Sequence, residues 1–178
     1  MNPSACEYLE VELNAAIARG ATQYVILGRG LGTDSYRNQN TNLRVFEVEH
    51  PATQAWSLRS ALDAAGFQAG QVSFFSWLGA SLYPSAQTTL ETLAFIGSLP
   101  TGSGLVFDYA VRRSAPSVPG EETAMDALAS RIAAQGEPLQ LYVDSYALEK
   151  LLRAAGFHDV EDLRVPPGLA QHVVAARV

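Results

Sequence analysis

A single cysteine, Cys6, is all the sequence offers. No disulfide can form within the chain, and a reducing compartment is its natural home. No positioned histidine or carboxylate partner for Cys6 is visible in the sequence, so a nucleophile reading of it is poor. Basic residues are also scarce. Twelve Lys and Arg stand against 18 Asp and Glu, for a net charge of −6, and the nearest approach to a basic patch is the pair Arg112-Arg113. Nucleic-acid binding needs a cluster of cations, so a nucleic-acid partner is not expected. No apolar run reaches the roughly 18 residues of a membrane span. The opening Met1-Asn-Pro-Ser-Ala-Cys-Glu7 lacks the basic flank of a signal peptide. The expectation is a cytoplasmic protein with no membrane partner. Metal ligation has no foothold, because the three histidines are scattered and neither Cys-x-x-Cys nor His-Glu-x-x-His occurs. A Gly-x-Ser-x-Gly elbow and a Walker phosphate loop are missing too.

What is present is a chain of 178 residues, 48% hydrophobic and 17% charged. That length and composition fit one domain, residues 1–178, with a substantial core. Glu7 to Arg19 has helical spacing in Leu9, Leu13, Ala16 and Ile17, and Gly20 follows as a stop. Gln23–Leu27 and Leu43–Val48 read as strands, rich in β-branched and aromatic residues. Pro51 opens a helix that ends near Gly66. A third strand, Val72–Trp77, is followed by a helix capped by Ser85 and running to about Leu99, and Leu105–Tyr109 is a fourth strand.

The remainder has the same alternation. Arg112–Gly120 reads as a loop, Glu121–Gln135 and Ser145–Ala155 as helices, the latter capped by Asp144 and stopped by Gly156. His158–Arg164 and His172–Val178 alternate as strands. The connection between them, Val165-Pro-Pro-Gly-Leu-Ala-Gln171, is too short for a helical crossover, so this last pair runs antiparallel. The fold class is therefore α/β: a Rossmann-like sheet, mostly parallel, closed by a C-terminal antiparallel hairpin.

The first strand breaks into glycines in Tyr24-Val-Ile-Leu-Gly-Arg-Gly-Leu-Gly-Thr33, and the second ends in acids, Arg44-Val-Phe-Glu-Val-Glu-His50. A buried strand, a glycine turn and a carboxylate at the end of the next strand are the parts from which α/β folds build nucleotide-type cofactor sites. The spacing Gly-x-Gly-x-Gly and the terminal hairpin count against a nicotinamide-dependent dehydrogenase.

Four ordered motifs carry a closer resemblance: Val25-Ile-Leu-Gly-Arg-Gly-Leu-Gly-Thr-Asp-Ser-Tyr-Arg37, Val45-Phe-Glu-Val-Glu-His-Pro-Ala-Thr-Gln54, Phe74-Phe-Ser-Trp-Leu-Gly-Ala-Ser-Leu-Tyr83 and Gly102-Ser-Gly-Leu-Val-Phe-Asp-Tyr109. From about Leu13 onward the chain resembles the class I S-adenosylmethionine-dependent methyltransferases. Within them it is most similar to the leucine carboxyl methyltransferase superfamily and its bacterial polyketide-type O-methyltransferases. The resemblance implies S-adenosylmethionine as cofactor and methyl transfer to a carboxylate or hydroxyl of a small molecule of secondary metabolism.

Several departures from the family pattern touch the implied site. Arg29 replaces a small residue and Gly32 an aspartate, and Leu78 stands where some relatives carry a glutamate. A strand-and-helix unit that borders the adenine in relatives, on the order of 25 residues, is missing between the helix beginning at Pro51 and the strand at Val72. The N-terminal lid of relatives is expected to be missing as well. Loss of that unit would leave Arg44–Val48 at the sheet edge, which suggests a homodimer formed there or through surface the lost segments would have covered.

The resemblance and the strand ends together nominate cofactor-binding residues in Gly28, Arg29, Gly30 and Leu31, with Glu47 or its neighbour Glu49 on the ribose. Trp77, Tyr83, Asp108 and Tyr109 are substrate-binding candidates at the carboxyl ends of the third and fourth strands, although Trp77 and Tyr83 also suit core packing. His50 is read as a capping or solvated residue, and His158 and His172 as structural. No catalytic residue is assigned, because positioning alone can drive methyl transfer to an ionised acceptor. Two functions stay open: a minimal O-methyltransferase, or a protein of the same fold that no longer methylates and binds another small molecule or works without the cofactor.

Overall fold

The structure, a computed structural model, describes residues 5–28, 42–48, 58–78, 86–111, 142–143, 145–164 and 171–178. Along the chain these form α1 (Ala5–Ala18), β1 (Gln23–Leu27), β2 (Arg44–Val48), α2 (Leu58–Ala64), β3 (Ser73–Trp77), α3 (Ala86–Gly97) and β4 (Gly104–Val111). They continue with β5 (Tyr142–Val143), α4 (Ser145–Ala155), β6 (Asp159–Arg164) and β7 (Gln171–Arg177). The sheet runs β2-β1-β3-β4-β7-β6, with β5 paired to β4 off that path. β1, β2, β3 and β4 are mutually parallel, and β7 is antiparallel to both β4 and β6. The expected parallel sheet with a closing hairpin is the one observed.

Strand character follows burial. All five residues of β1 and of β3 are buried, as parallel strands covered on both faces must be. β2 alternates instead, with Arg44 and Glu47 exposed and Phe46 buried, the pattern of an edge. Among the described residues β2 is the edge strand, and residues 65–72 pass from α2 to β3 without a strand between them. That agrees with the shortened topology expected from the sequence.

The core has two halves, one on each face of the sheet. On one face, Leu9, Leu13 and Ala16 of α1 pack on Tyr24, Ile26, Phe74, Val106 and Val173. On the other, Leu62 of α2, Leu93 and Ile96 of α3, and Leu148 and Leu152 of α4 cover Val25, Phe75, Phe107 and Val174. Strand alternation assigns each residue its side. α2 and α4 end with the same device: a left-handed glycine, Gly66 or Gly156, followed by a phenylalanine whose N–H returns to the carbonyl five residues back. Phe67 and Phe157 are thereby driven into the core, each at most 6% exposed.

A polar lock secures the amino ends of the strands. The buried Gln23 side chain accepts from the Gln68 N–H at 2.9 Å, and its amide donates to the Gln68 carbonyl and to Ser73 Oγ, both at 2.9 Å. The Ser73 N–H donates in turn to Ser103 Oγ at 3.1 Å. A satisfied buried network of this kind fixes the short α2–β3 connection against β1 and β4. At the same end, Arg177 donates to Glu12 at 2.7 and 3.3 Å and pairs with Asp159, so that α1 is tied to the hairpin. Burial alone would lower the Arg177 pKa, but the hydrogen bonds to Glu12 and Asp159 outweigh it and hold the guanidinium above its ordinary value.

Several expectations end differently. β5 was not foreseen; it is only two residues long and pairs parallel with Ala110 and Val111. Ala110 also pairs with Gln171 of β7, so β5 occupies the opposite edge of β4, the one β3 uses lower down. The expected loop 112–120, the helix 121–135 and the first half of the helix expected from Pro51 lie outside the described residues. No helix among the described residues is long and apolar enough to cross a membrane.

The ends of α3 and α4 meet backbone to backbone. A Cβ on Gly97 would lie 1.9 Å from the Ala155 carbonyl oxygen, and one on Gly156 would lie 2.5 Å from the Gly97 oxygen. Gly97→Ala should therefore force the helices apart and cost about 2–3 kcal/mol in urea unfolding. Gly70→Ala, where a Cβ meets nothing within 4 Å, should change stability by about 0.5 kcal/mol or less. Equal effects at the two positions would contradict this packing.

Candidate functional site

The four parallel strands point their carboxyl ends to one side of the sheet, the place where open α/β sheets hold ligands. β1 ends there in Gly28, whose φ of +85° is a left-handed conformation open to glycine at little cost. Its N–H donates to the Val48 carbonyl at 2.9 Å, and this bond closes the β1–β2 ladder. A Cβ added at Gly28 would meet nothing within 4 Å. Among the described residues, backbone conformation and not crowding requires the glycine.

Glu47 stands on the neighbouring strand opposite Ile26, with its side chain exposed. A groove of about 660 Å³ runs beside it, lined by Arg44, Phe46, Glu47, Val48, Ala61 and Ala65 among others. Gly28 and Glu47 thus share one end of the sheet and form its β1–β2 half. Arg29, Gly30, Leu31 and Glu49, nominated with them, lie outside the described residues.

The other half forms at β3 and β4, roughly 10 and 14 Å from β2 at the usual strand spacing. Trp77 is 3% exposed and belongs to the core on the α2–α4 face. Leu78 is partly buried against the opposite half of the core, on the α1 face. Tyr83 lies outside the described residues. Asp108 and Tyr109 are adjacent on one strand, so they face opposite sides of the sheet. Tyr109 lies on the Phe107 side, fully buried; Asp108 lies on the Val106 side, 8% exposed. The structure therefore does not bring the two together.

Instead, Tyr109 meets two residues from the terminal hairpin. Its hydroxyl donates to Asp162 Oδ2 at 2.9 Å and lies 3.4 Å from His172 Nδ1. His172 Nδ1 is 3.2 Å from Asp162 Oδ1 and 3.4 Å from Oδ2. The two rings meet edge to face, with centroids 5.4 Å apart. The register explains the meeting: His172 of β7 pairs with Tyr109 of β4 on one side and with Arg164 of β6 on the other. Tyr109 is sealed, but the Asp162 and His172 side chains keep 27% and 17% of their surface exposed. The cluster thus rises from the core toward the ligand end of the sheet.

Sequence reasoning missed this cluster and took His172 as structural. The signal was weak: period-two alternation puts Asp162 and Arg164 on one face, but only the β4–β7 register supplies the tyrosine. His158 has an exposed side chain and takes part through its backbone. Its N–H donates to the Arg177 carbonyl at 2.8 Å, and its carbonyl accepts from Arg153 at 2.9 Å. Among the described residues no group of three or more His, Cys, Asp or Glu could hold a metal ion.

A family model for leucine carboxyl methyltransferase matches residues 6–60. Over 185 residues the chain is 31% identical to YktD of Bacillus subtilis (strain 168), described as a candidate S-adenosyl-L-methionine-dependent methyltransferase. The match takes in 88% of this chain and 60% of YktD, so the chain spans about three fifths of that relative's length. Among solved structures, a DUF574 family protein from Streptomyces avermitilis MA-4680 superposes with a TM-score of 0.61 at 14% identity, covering 94% of this chain and 79% of its own. A candidate O-methyltransferase from Nostoc punctiforme PCC 73102 gives 0.56 at 16% identity, covering 98% and 59%. At such identities the likeness to these structures is one of fold.

The geometry of the cluster is testable without a ligand. Tyr109→Phe removes a hydrogen bond to a carboxylate and should cost about 1.5–3 kcal/mol. In an Asp162→Asn background the same change should cost distinctly less, because the two residues are coupled. Strict additivity in that double-mutant cycle would show that the contact carries no energy.

Proposed function

We propose that the chain is an S-adenosylmethionine-dependent methyltransferase of the leucine carboxyl methyltransferase type, and more narrowly an O-methyltransferase; the family-model match over residues 6–60 and the 31% identity to YktD support that reading. Its acceptor would be the carboxylate or hydroxyl of a small molecule, of the kind found in secondary metabolism. The observation that carries the proposal is the Gly28 corner. A left-handed glycine closes β1 onto β2, no described residue crowds its Cβ position, and Glu47 stands on the adjoining strand.

That corner fits the cofactor. Gly28 itself brings no side chain to the turn, and the sequence continues from it into Arg29, Gly30 and Leu31, the other residues assigned to the cofactor. Glu47, with Glu49 as its competitor, is assigned to the ribose hydroxyls, which a carboxylate accepts well. When bound, S-adenosylmethionine supplies an electrophilic methyl group on a sulfonium sulfur. The protein's part is to hold an acceptor oxygen in line with it, and such positioning accounts for much of the rate in reactions of this type. Asp108 is assigned to the acceptor half at β4, with Trp77 and Tyr109 buried in the core beside it.

Calorimetry with S-adenosylmethionine and S-adenosylhomocysteine tests the reading. Wild-type protein should bind either with a Kd on the order of micromolar, and Glu47→Gln should weaken binding about tenfold, the loss of one charge-assisted hydrogen bond. No heat with wild type, together with binding recovered in Arg29→Ala or Gly32→Asp, would favour the non-methylating alternative instead.

A further inference from the structure

We propose that His172 is the group that takes the proton from a hydroxyl acceptor, and that Asp162, supported by Tyr109, is the positioning residue that readies it. The inference rests on the methyltransferase reading above and narrows its acceptor to one bearing a hydroxyl. It starts from the two nitrogens of one ring. Nδ1 faces the Asp162 carboxylate at 3.2 and 3.4 Å. An ionised carboxylate has only lone pairs to offer, so the hydrogen of the neutral ring sits on Nδ1 and points at it. The lone pair of the ring is then on Nε2. Nε2 makes no hydrogen bond to any described residue, and it is not among the buried polar atoms left without a partner.

Tyr109 reinforces the arrangement. Its hydroxyl donates to Asp162 Oδ2 at 2.9 Å, so the carboxylate is held from the buried side and cannot rotate away from the imidazole. The ring of Tyr109 packs edge to face on that of His172 and fixes its plane. A tyrosine, a carboxylate and a histidine from three different strands converge in this way at the carboxyl end of β4. A carboxylate behind an imidazole sets its tautomer and stabilises the imidazolium once formed, which is the logic of a general base with an orienting acid.

Position completes the argument. The Gly28–Glu47 corner assigns the cofactor to β1 and β2, so the acceptor must reach the methyl group from the other side, over β3, β4 and β7. Among the described residues of that half, Nε2 of His172 is a proton acceptor with a built support, on a ring that is partly buried and keeps 17% of its side-chain surface exposed. In the step it serves, the acceptor O–H bond breaks and its proton goes to Nε2. The freed oxygen electron pair forms the bond to the methyl carbon, and the carbon–sulfur pair stays on sulfur, which becomes a neutral thioether. The imidazolium, held by Asp162, later returns its proton to solvent. An already ionised carboxylate acceptor would not need this residue.

Two measurements decide the matter. Nitrogen-15 NMR of the histidine ring in the ligand-free protein should find neutral His172 as the Nδ1–H tautomer, and Asp162→Asn should shift it toward Nε2–H. A wild-type Nε2–H tautomer overturns the proposal whatever the activity, since no lone pair would face outward. The second measurement is S-adenosylhomocysteine release by wild type and variants against a panel of phenols, aliphatic alcohols and carboxylic acids. His172→Asn should lower hydroxyl methylation at least about a hundredfold, the scale of a lost general base, while calorimetric binding of S-adenosylhomocysteine is unchanged. Asp162→Asn should lower kcat with little change in KM. Hydroxyl turnover that survives His172→Asn, or wild-type turnover of carboxylic acids alone, overturns the assignment and leaves the methyltransferase reading standing. Absence of cofactor binding and of all turnover in wild type overturns both.

Discussion

Seven residue pairs, from Gly104–Arg177 to Ala110–Gln171, zip β7 onto β4, and both the sheet and its candidate site depend on that ladder. β4 is the last of the parallel strands. Without an antiparallel partner it would be a buried strand with one unpaired edge, which is costly because every buried backbone group needs a hydrogen-bond partner. The ladder satisfies that edge and delivers the hairpin whose outer strand is β6. It also sets His172 beside Tyr109 and brings Asp162 within reach of both. A slip of one residue would turn His172 to the opposite face.

The two ends of the sheet divide the work. At the amino ends, Gln23, Gln68, Ser73 and Ser103 form a satisfied buried network, and Arg177 binds Glu12 and Asp159. These contacts hold α1, the α2–β3 turn and the hairpin in place. At the carboxyl ends lie the left-handed Gly28, the exposed Glu47, and a polar cluster only partly covered. Rigid elements with their locks at one end and their open chemistry at the other suit a reaction governed by positioning. They also explain how a chain without the unit expected between α2 and β3 still closes its core: β2 sits at the edge, and no central ladder passes through the missing place.

Much of the fold was legible in local sequence. The apolar runs gave β1 and β3 nearly residue for residue, Gly66 and Gly156 marked helix ends, and the short proline-rich link between the last two strands required an antiparallel pair. β5 was not legible, because two residues carry no periodicity and its pairing depends on β4 outrunning β3. Asp108 and Tyr109 were grouped by adjacency, although alternation sends them to opposite faces. The Tyr109–Asp162–His172 cluster was beyond local reading for a different reason. Its members are brought together by register across 53 and 63 positions of chain, and no spacing rule spans that. Glu47 and Gly28, by contrast, were legible because strand, turn and strand are consecutive.

The central claim is that the carboxyl end of this sheet is a site for S-adenosylmethionine, anchored at the β1–β2 corner. Backbone amide NMR during titration with S-adenosylhomocysteine tests it most directly. The account predicts the largest shifts at Gly28, Glu47, Val48 and Leu78, with the amino-end lock around Gln23, Ser103 and Arg177 unmoved. Saturable binding whose shifts gather at the amino ends, or no shift at Gly28 at all, would contradict it.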